Sequence, residues 1–110
     1  MTVATVQTST ESGSIRIRLS GEIDLANVAT VEEEILNSVS DQATAMSVDL
    51  TDLTYMDSTG IRILCNLAAR LQELRIALEY VVPLDSPIRR LIELSGFESL
   101  ATLRPASHEI

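Results

Sequence analysis

The chain has 110 residues, of which 45% are hydrophobic and 3% aromatic, and a formal net charge of −8. This composition fits one globular domain with an aliphatic core. The negative charge repels nucleic-acid phosphates and anionic membranes and favours a basic protein partner, so nucleic-acid binding is excluded from the expected functions.

The first half of the chain predicts a hairpin followed by a helix. Residues 3–7 form a weak strand candidate, and apolar residues alternate with arginines over residues 15–19 as in a half-buried strand. Apolar residues then recur at spacings of three and four, which predicts a helix from residue 25 onwards. Its apolar stripe contains Val28, Val31, Ile35 and Val39. Asp24 lies where the N-cap of this helix is expected.

The second half alternates strands and helices. Alternation predicts a strand over residues 46–50, and the pattern becomes less regular over residues 51–56. Helical spacing follows over residues 61–71, and residues 76–82 alternate again.

The third predicted helix carries signals at both ends. Ser86-Pro87 is a favourable start, because a serine caps and a proline fits the first helical position. Gly96 fits the end of the helix, and Phe97 is expected to pack back onto Ile92. A short last strand is predicted near residues 102–103.

The element order indicates the α/β class. Strand–helix–strand units favour parallel pairs within a single mixed β-sheet, here of four to five strands. We predict one domain over residues 1–110, with a core at about 3–103 and a frayed tail at 104–110.

The sequence favours a cytoplasmic protein without a cofactor. No apolar run approaches the ~20 residues of a membrane span, and no signal-peptide pattern opens the chain, so direct membrane insertion is not expected. Cys65 and His108 are the only cysteine and histidine, which makes a transition-metal site improbable. Cys65 lies in a helical pattern and is expected in or near the core rather than in a nucleophile–base pair.

The most informative motif is Asp57-Ser58-Thr59-Gly60, between a predicted strand and a helix. Partners often meet open α/β sheets at this end of a strand. The first helical turn has unpaired N–H groups and favours negative charge, so it would tolerate a phosphate on Ser58, with Arg62 able to pair with it. The alternative is structural, with Asp57 or Ser58 as an N-cap and Gly60 as a tight-turn residue. Spacing alone favours the structural reading.

A second candidate combines Asp24 with Asp57. If the first two helices lie side by side, the two carboxylates share one sheet edge. Paired carboxylates can perform acid–base chemistry or bind a metal. The simpler alternative, favoured because no third ligand is visible, is two helix caps that never meet.

Three segments, in chain order, resemble the marked segments of STAS domains. They are Gly21-Glu22-Ile23-Asp24-Leu25, residues 48–61 with the Asp57-Ser58-Thr59-Gly60 motif, and Pro83 with residues 88–97. The resemblance covers roughly Val3 to Leu103 and implies a mixed sheet with helices packed mainly on one face. One departure is that Leu74-Arg75 runs directly into Ile76, where many members have a glycine-rich turn.

The resemblance implies an anti-sigma factor antagonist rather than an enzyme, acting by partner switching in bacterial transcription regulation and stress response. In that family the unphosphorylated antagonist binds an anti-sigma factor with kinase activity and frees a sigma factor. The kinase phosphorylates the motif serine, here Ser58, with Thr59 as a less favoured hydroxyl, and a PP2C-type phosphatase reverses the reaction. The residues expected at the partner interface are Asp24, Asp57, Ser58, Thr59, Gly60 and Arg62.

Two other functions stay open. STAS domains also serve as non-phosphorylated accessory subunits of membrane transporters or signalling assemblies, and an enzyme using Asp24 and Asp57 would be stabilised by a metal or substrate. Ser58 preceded by Asp57 favours the phosphorylated antagonist. A monomer is the default expectation.

Overall fold

The computed structural model describes residues 3–96 and 99–106. Its elements are β1 (Ala4–Glu11), β2 (Ser14–Ile23), α1 (Val28–Asn37), β3 (Ala45–Met56), α2 (Ser58–Glu73), β4 (Ala77–Val81), α3 (Pro87–Ser95) and β5 (Thr102–Arg104). The five strands form one sheet in the order β1-β2-β3-β4-β5. β1 is antiparallel to β2, and the other neighbouring pairs are parallel. The predicted α/β class with a single mixed sheet is confirmed.

One face of the sheet is apolar and carries the helices. In β2, Ile15, Ile17 and Leu19 are at most 1% exposed, whereas the alternating arginines are exposed. All three helices contribute to the same buried cluster, through Val31, Ile35, Leu64, Ala68, Leu71, Ile88 and Ile92. This aliphatic cluster is the core that the composition predicts.

The opposite face is polar and ties β5 to the sheet. Ser47 Oγ donates a hydrogen bond to Glu79 (2.9 Å), and Arg104 donates two more to the same carboxylate (3.1 and 2.8 Å). Partial burial raises the pKa of Glu79, but these hydrogen bonds outweigh it and the pKa is lowered. The tail was expected to fray from residue 104, but Arg104 belongs to β5 and Ala106 is 5% exposed. Residues 107–110 lie outside the described part.

The irregular pattern of residues 51–56 comes from bulges in β3. Its pairing with β2 shifts register between Arg18 and Ser20 and again between Gly21 and Glu22. At each shift β3 carries an extra residue, so its buried side chains are spaced by three rather than two. They are Leu50, Leu53 and Met56.

The third helix has the predicted ends. Ser86 Oγ accepts a hydrogen bond from the Ile88 N–H (3.1 Å), Pro87 occupies the first turn, and Gly96 ends the helix at φ 77°. The expected packing of Phe97 onto Ile92 lies outside the described residues.

The second helix ends without a glycine. Arg75 takes the left-handed conformation (φ 60°), which lets the Ile76 N–H donate to the Leu71 carbonyl (2.9 Å). A side chain with a Cβ is disfavoured in this conformation, so the direct passage from Leu74 to Ile76 carries backbone strain at Arg75.

We expect Arg75→Gly to raise the free energy of unfolding by about 0.5–1 kcal/mol, because glycine adopts this conformation without steric cost. Arg70→Gly is the control, since Arg70 is exposed within α2 and should lose about 1 kcal/mol. Urea denaturation measures both. Equal destabilisation by the two substitutions would contradict the strain at Arg75.

Candidate functional site

The two marked loops leave the sheet side by side. β2 and β3 are parallel, and their last residues, Ile23 and Met56, are cross-strand partners. Asp24 and Asp57 follow directly, so both emerge at the same edge of the sheet. The Asp57 N–H donates to the Ile23 carbonyl (3.2 Å), which joins the loops at their base.

The Asp57 carboxylate is the N-cap of α2 and a tie between the loops. It accepts the N–H groups of Thr59 (2.9 Å) and Gly60 (3.4 Å) and the Thr59 hydroxyl. The N–H of Leu25 in the other loop faces this carboxylate and makes the smallest contribution to lowering its pKa. The Thr59 hydroxyl, above all, and these N–H groups lower the pKa of Asp57 against a smaller opposing effect of desolvation.

The lowered pKa favours the ionised form of Asp57, which makes this carboxylate a weak proton acceptor. This argues against Asp57 as the base in the enzyme hypothesis built on Asp24 and Asp57. Within the described residues, no three His, Cys, Asp or Glu side chains are grouped to hold a metal ion.

Asp24 does not cap α1. The helix begins at Val28 with Asn27 as its N-cap, and the Asp24 side chain instead accepts the Ala26 N–H (2.8 Å). Asn27 bonds back to the strand end, since its Oδ1 accepts the Asp24 N–H (3.0 Å) and its Nδ2 donates to the Glu22 carbonyl (2.9 Å). The expected start at residue 25 is thus a compact turn that presents Leu25 and Ala26 to solvent.

Ser58 is the first residue of α2 and is exposed. The Thr59 hydroxyl donates to Asp57, whereas no side-chain hydrogen bond engages Ser58 among the described residues. The N–H groups of Thr59 and Gly60, expected to be free for a phosphate, are already taken by Asp57. Arg62 is exposed four residues along α2, without a salt bridge to any described residue.

Gly60 is a packing residue rather than a tight-turn residue. It lies in α2 without a positive φ and is buried. An added Cβ would fall against Met56 Cγ, 2.6 Å from Met56 Sδ and 3.4 Å from Ile23 Cγ2. The missing side chain lets α2 begin directly against the ends of β2 and β3.

Two apolar side chains near the site are exposed, which the sequence did not predict. Leu25 is 76% exposed and Tyr55, next to the end of β3, is 51% exposed. Nothing in the periodicity distinguishes them from core residues, because only the turn and the bulges decide which way they face.

The remaining candidates lie away from this edge. Cys65 is half-buried and packs against the core, as expected, and His108 lies outside the described residues. In the part of the chain that the structure describes, no helix combines the length and hydropathy that crossing a membrane requires.

Gly60→Ala should lower the free energy of unfolding by about 1–3 kcal/mol, because the new methyl overpacks the buried Met56 side chain. In a Met56→Ala background the same change should cost clearly less, since the clashing atoms are gone. Denaturant unfolding of the four proteins measures this coupling. Equal costs in the two backgrounds would rule out the Met56 contact as the cause.

Asp57→Asn should destabilise the chain in a pH-dependent way. Because the folded-state pKa lies below the ordinary 3.8, the ionised form is favoured by folding, and its contribution is present above pH 3.8 and lost as pH falls through the folded pKa. The stability gap between wild type and variant should therefore be constant from about pH 7 to 5 and shrink below about pH 4. Thermal unfolding across pH measures it, with exposed Asp41→Asn as the charge control. A gap that widens in acid would refute this role.

Known proteins resemble the chain along most of its length. The family model described as STAS domain matches residues 5–110. The anti-sigma-F factor antagonist RsfB of Mycobacterium tuberculosis strain H37Rv is 32% identical over 106 residues, covering 96% of this chain and 84% of RsfB. The anti-sigma-B factor antagonist of Staphylococcus aureus strain N315 is 27% identical over 95 residues, covering 86% of this chain and 87% of that protein.

The fold also matches a solved structure. An anti-sigma factor antagonist from Mycobacterium paratuberculosis has a TM-score of 0.83 and 25% identity, covering 97% of this chain and 90% of that one. The family match spans nearly all of the described sheet and helices, including both loops of the candidate site. The chain therefore belongs to the STAS domain family.

Proposed function

We propose that the chain is an anti-sigma factor antagonist that switches partners through phosphorylation of Ser58. Its unphosphorylated form binds a kinase-type anti-sigma factor and frees a sigma factor, and the phosphorylated form does not bind. The observation that carries the proposal is an exposed serine hydroxyl, without a side-chain hydrogen bond among the described residues, at the start of α2. Relatives named as antagonists of anti-sigma-F and anti-sigma-B factors support the same role.

The choice of Ser58 over Thr59 follows from hydrogen bonding. Thr59 is partly buried and its hydroxyl donates to Asp57, so a kinase would first have to break this hydrogen bond. The Ser58 hydroxyl can accept a phosphoryl group without breaking any side-chain hydrogen bond among the described residues.

A phosphate on Ser58 acts on binding through charge. It adds about −1.5 to −2 charges at pH 7 beside the ionised Asp57, on a chain whose net charge is already −8. The nearest N–H donors are occupied, which leaves Arg62 on the same helix as the cation placed to pair with it. A partner surface without a matching basic pocket is repelled, and no conformational change in this chain is needed.

The wider pathway follows from the same proposal. The antagonist acts in the cytoplasm, where its kinase and sigma factor work, and a PP2C-type phosphatase returns Ser58 to its free state. The bound surface comprises the two loops and the first turn of α2, with Asp24, Asp57, Ser58, Thr59, Gly60 and Arg62.

We expect Ser58→Ala to bind the anti-sigma factor like wild type and to resist phosphorylation, and Ser58→Asp to bind roughly a hundredfold more weakly, equivalent to about 3 kcal/mol. Titration calorimetry with purified anti-sigma factor measures affinity, and phosphosite mass spectrometry of the protein from its own cells measures occupancy.

Ser9→Asp is the matched control, because it adds the same charge on β1 opposite Arg16, far from the ends of β2 and β3. Equal affinity of Ser58→Asp and wild type would refute the charge mechanism. An unmodified Ser58 under all growth conditions, stress included, would refute the switch.

A further inference from the structure

Leu25 has the most exposed large apolar side chain of the described residues. It is 76% exposed, compared with 72% for Leu94 and 62% for Val3. The exposure of Leu25 does not stabilise the isolated chain, because burying a leucine side chain would contribute about 1.5–3 kcal/mol of free energy. The turn that holds Leu25 outward is well built, through the hydrogen bonds of Asp24 and Asn27.

The position of Leu25 is tied to that of Ser58. Asp24 and Asp57 follow the cross-strand partners Ile23 and Met56, so Leu25 lies one residue beyond the paired strand ends, where Asp57 caps the first turn of α2. Ser58 is the next residue along the chain. A surface that covers the Ser58 hydroxyl therefore lies close to Leu25.

The surroundings of Leu25 are acidic. Glu22 is exposed, and the half-buried Asp24 and Asp57 stand at the ends of the adjacent strands. Protein interfaces commonly place an apolar anchor at the centre and charged groups at the rim. This arrangement fits a partner with an apolar pocket edged by basic side chains, as the net charge of −8 also favours.

We propose that Leu25 is the apolar anchor through which the unphosphorylated chain binds its anti-sigma factor, seated in an apolar pocket with a basic rim. This inference rests on the proposed function, because it takes the kinase that modifies Ser58 as the occupant. The carboxylates around Leu25 supply the salt-sensitive part of the affinity, and Leu25 supplies the part that salt does not screen.

The test compares Leu25→Ala with Leu94→Ala. The two leucines have similar exposure, but Leu94 lies near the end of α3. Leu94→Ala therefore removes the same exposed apolar side chain at a distance from Ser58. Each kinase-type anti-sigma factor of the source organism is purified and titrated with the unmodified proteins at low and high salt. Leu25→Ala should weaken binding about tenfold to thirtyfold at both salt concentrations, and Leu94→Ala should stay within about twofold.

Two further variants separate anchoring from loop damage. Leu25→Met keeps the apolar bulk and should restore affinity to within about threefold of wild type. Leu25→Gln keeps the length but removes the apolar end, and should bind as weakly as Leu25→Ala. In Leu25→Ala and Leu25→Gln, the same anti-sigma factor should phosphorylate Ser58 with a lower kcat/KM. The loss should appear as a higher KM, because docking and not chemistry is impaired.

The outcomes distinguish the inference from the function on which it rests. If the wild type binds an anti-sigma factor and Leu25→Ala binds it with the same affinity, the anchor role of Leu25 is overturned and the antagonist role stays intact. Equal losses for Leu25→Ala and Leu94→Ala would likewise overturn it. Failure of every anti-sigma factor to bind wild type would overturn both proposals.

Discussion

The parallel pairing of β2 with β3 is the constraint on which the candidate site depends. The pair ends at Ile23 and Met56, which are 0% and 4% exposed. Because both strands stop at the same level, the loops that follow emerge together. Gly60 then allows α2 to start in contact with both terminal side chains. A shift of one residue in this pairing would separate the loops and turn the buried face outward.

Within this frame the polar groups divide into occupied and available ones. Asp57 accepts the N–H groups of Thr59 and Gly60 from its own helix, and Thr59 donates its hydroxyl to the same carboxylate. The structural reading of the motif is therefore correct for Asp57, which caps α2, and it is compatible with the proposed phosphorylation of Ser58. Because Asp57 satisfies the helix start, the Ser58 side chain is not needed as a cap.

Features with local causes could be predicted from the sequence. The β1–β2 hairpin, the start of α3 at Ser86-Pro87 and its end at Gly96 follow from alternation and from capping preferences. The parallel topology allowed Asp24 and Asp57 to share one sheet edge, but the sequence favoured two caps that never meet, and only the pairing of Ile23 with Met56 decides it. The family resemblance supplied the identity of the motif, which spacing alone left open.

Features with non-local causes could not be predicted. The bulges of β3 depend on how it pairs with β2, so residues 51–56 read as irregular although they form a strand. Asp24 was expected to cap α1, but the helix begins at Val28, and the side chain of Asn27 at the N-cap position bonds back to Asp24 and Glu22 instead of to the helix. Gly60 lies where a turn glycine is common, and only the packed position of Met56 reveals its actual role.

The placement of the candidate site on the loops that follow β2 and β3 also bears on how such domains diverge. All the groups proposed to meet a partner lie on two loops and the start of α2, whereas the core is built from buried, mostly aliphatic side chains on one face of the sheet. Core substitutions that conserve volume thus leave the binding surface in place. The antagonist from Mycobacterium paratuberculosis illustrates this separation, because it shares the fold with a TM-score of 0.83 although only 25% of the aligned residues are identical. With Leu25 in its proposed role, a change of the one residue at position 25 would alter the choice of partner while the scaffold stays the same.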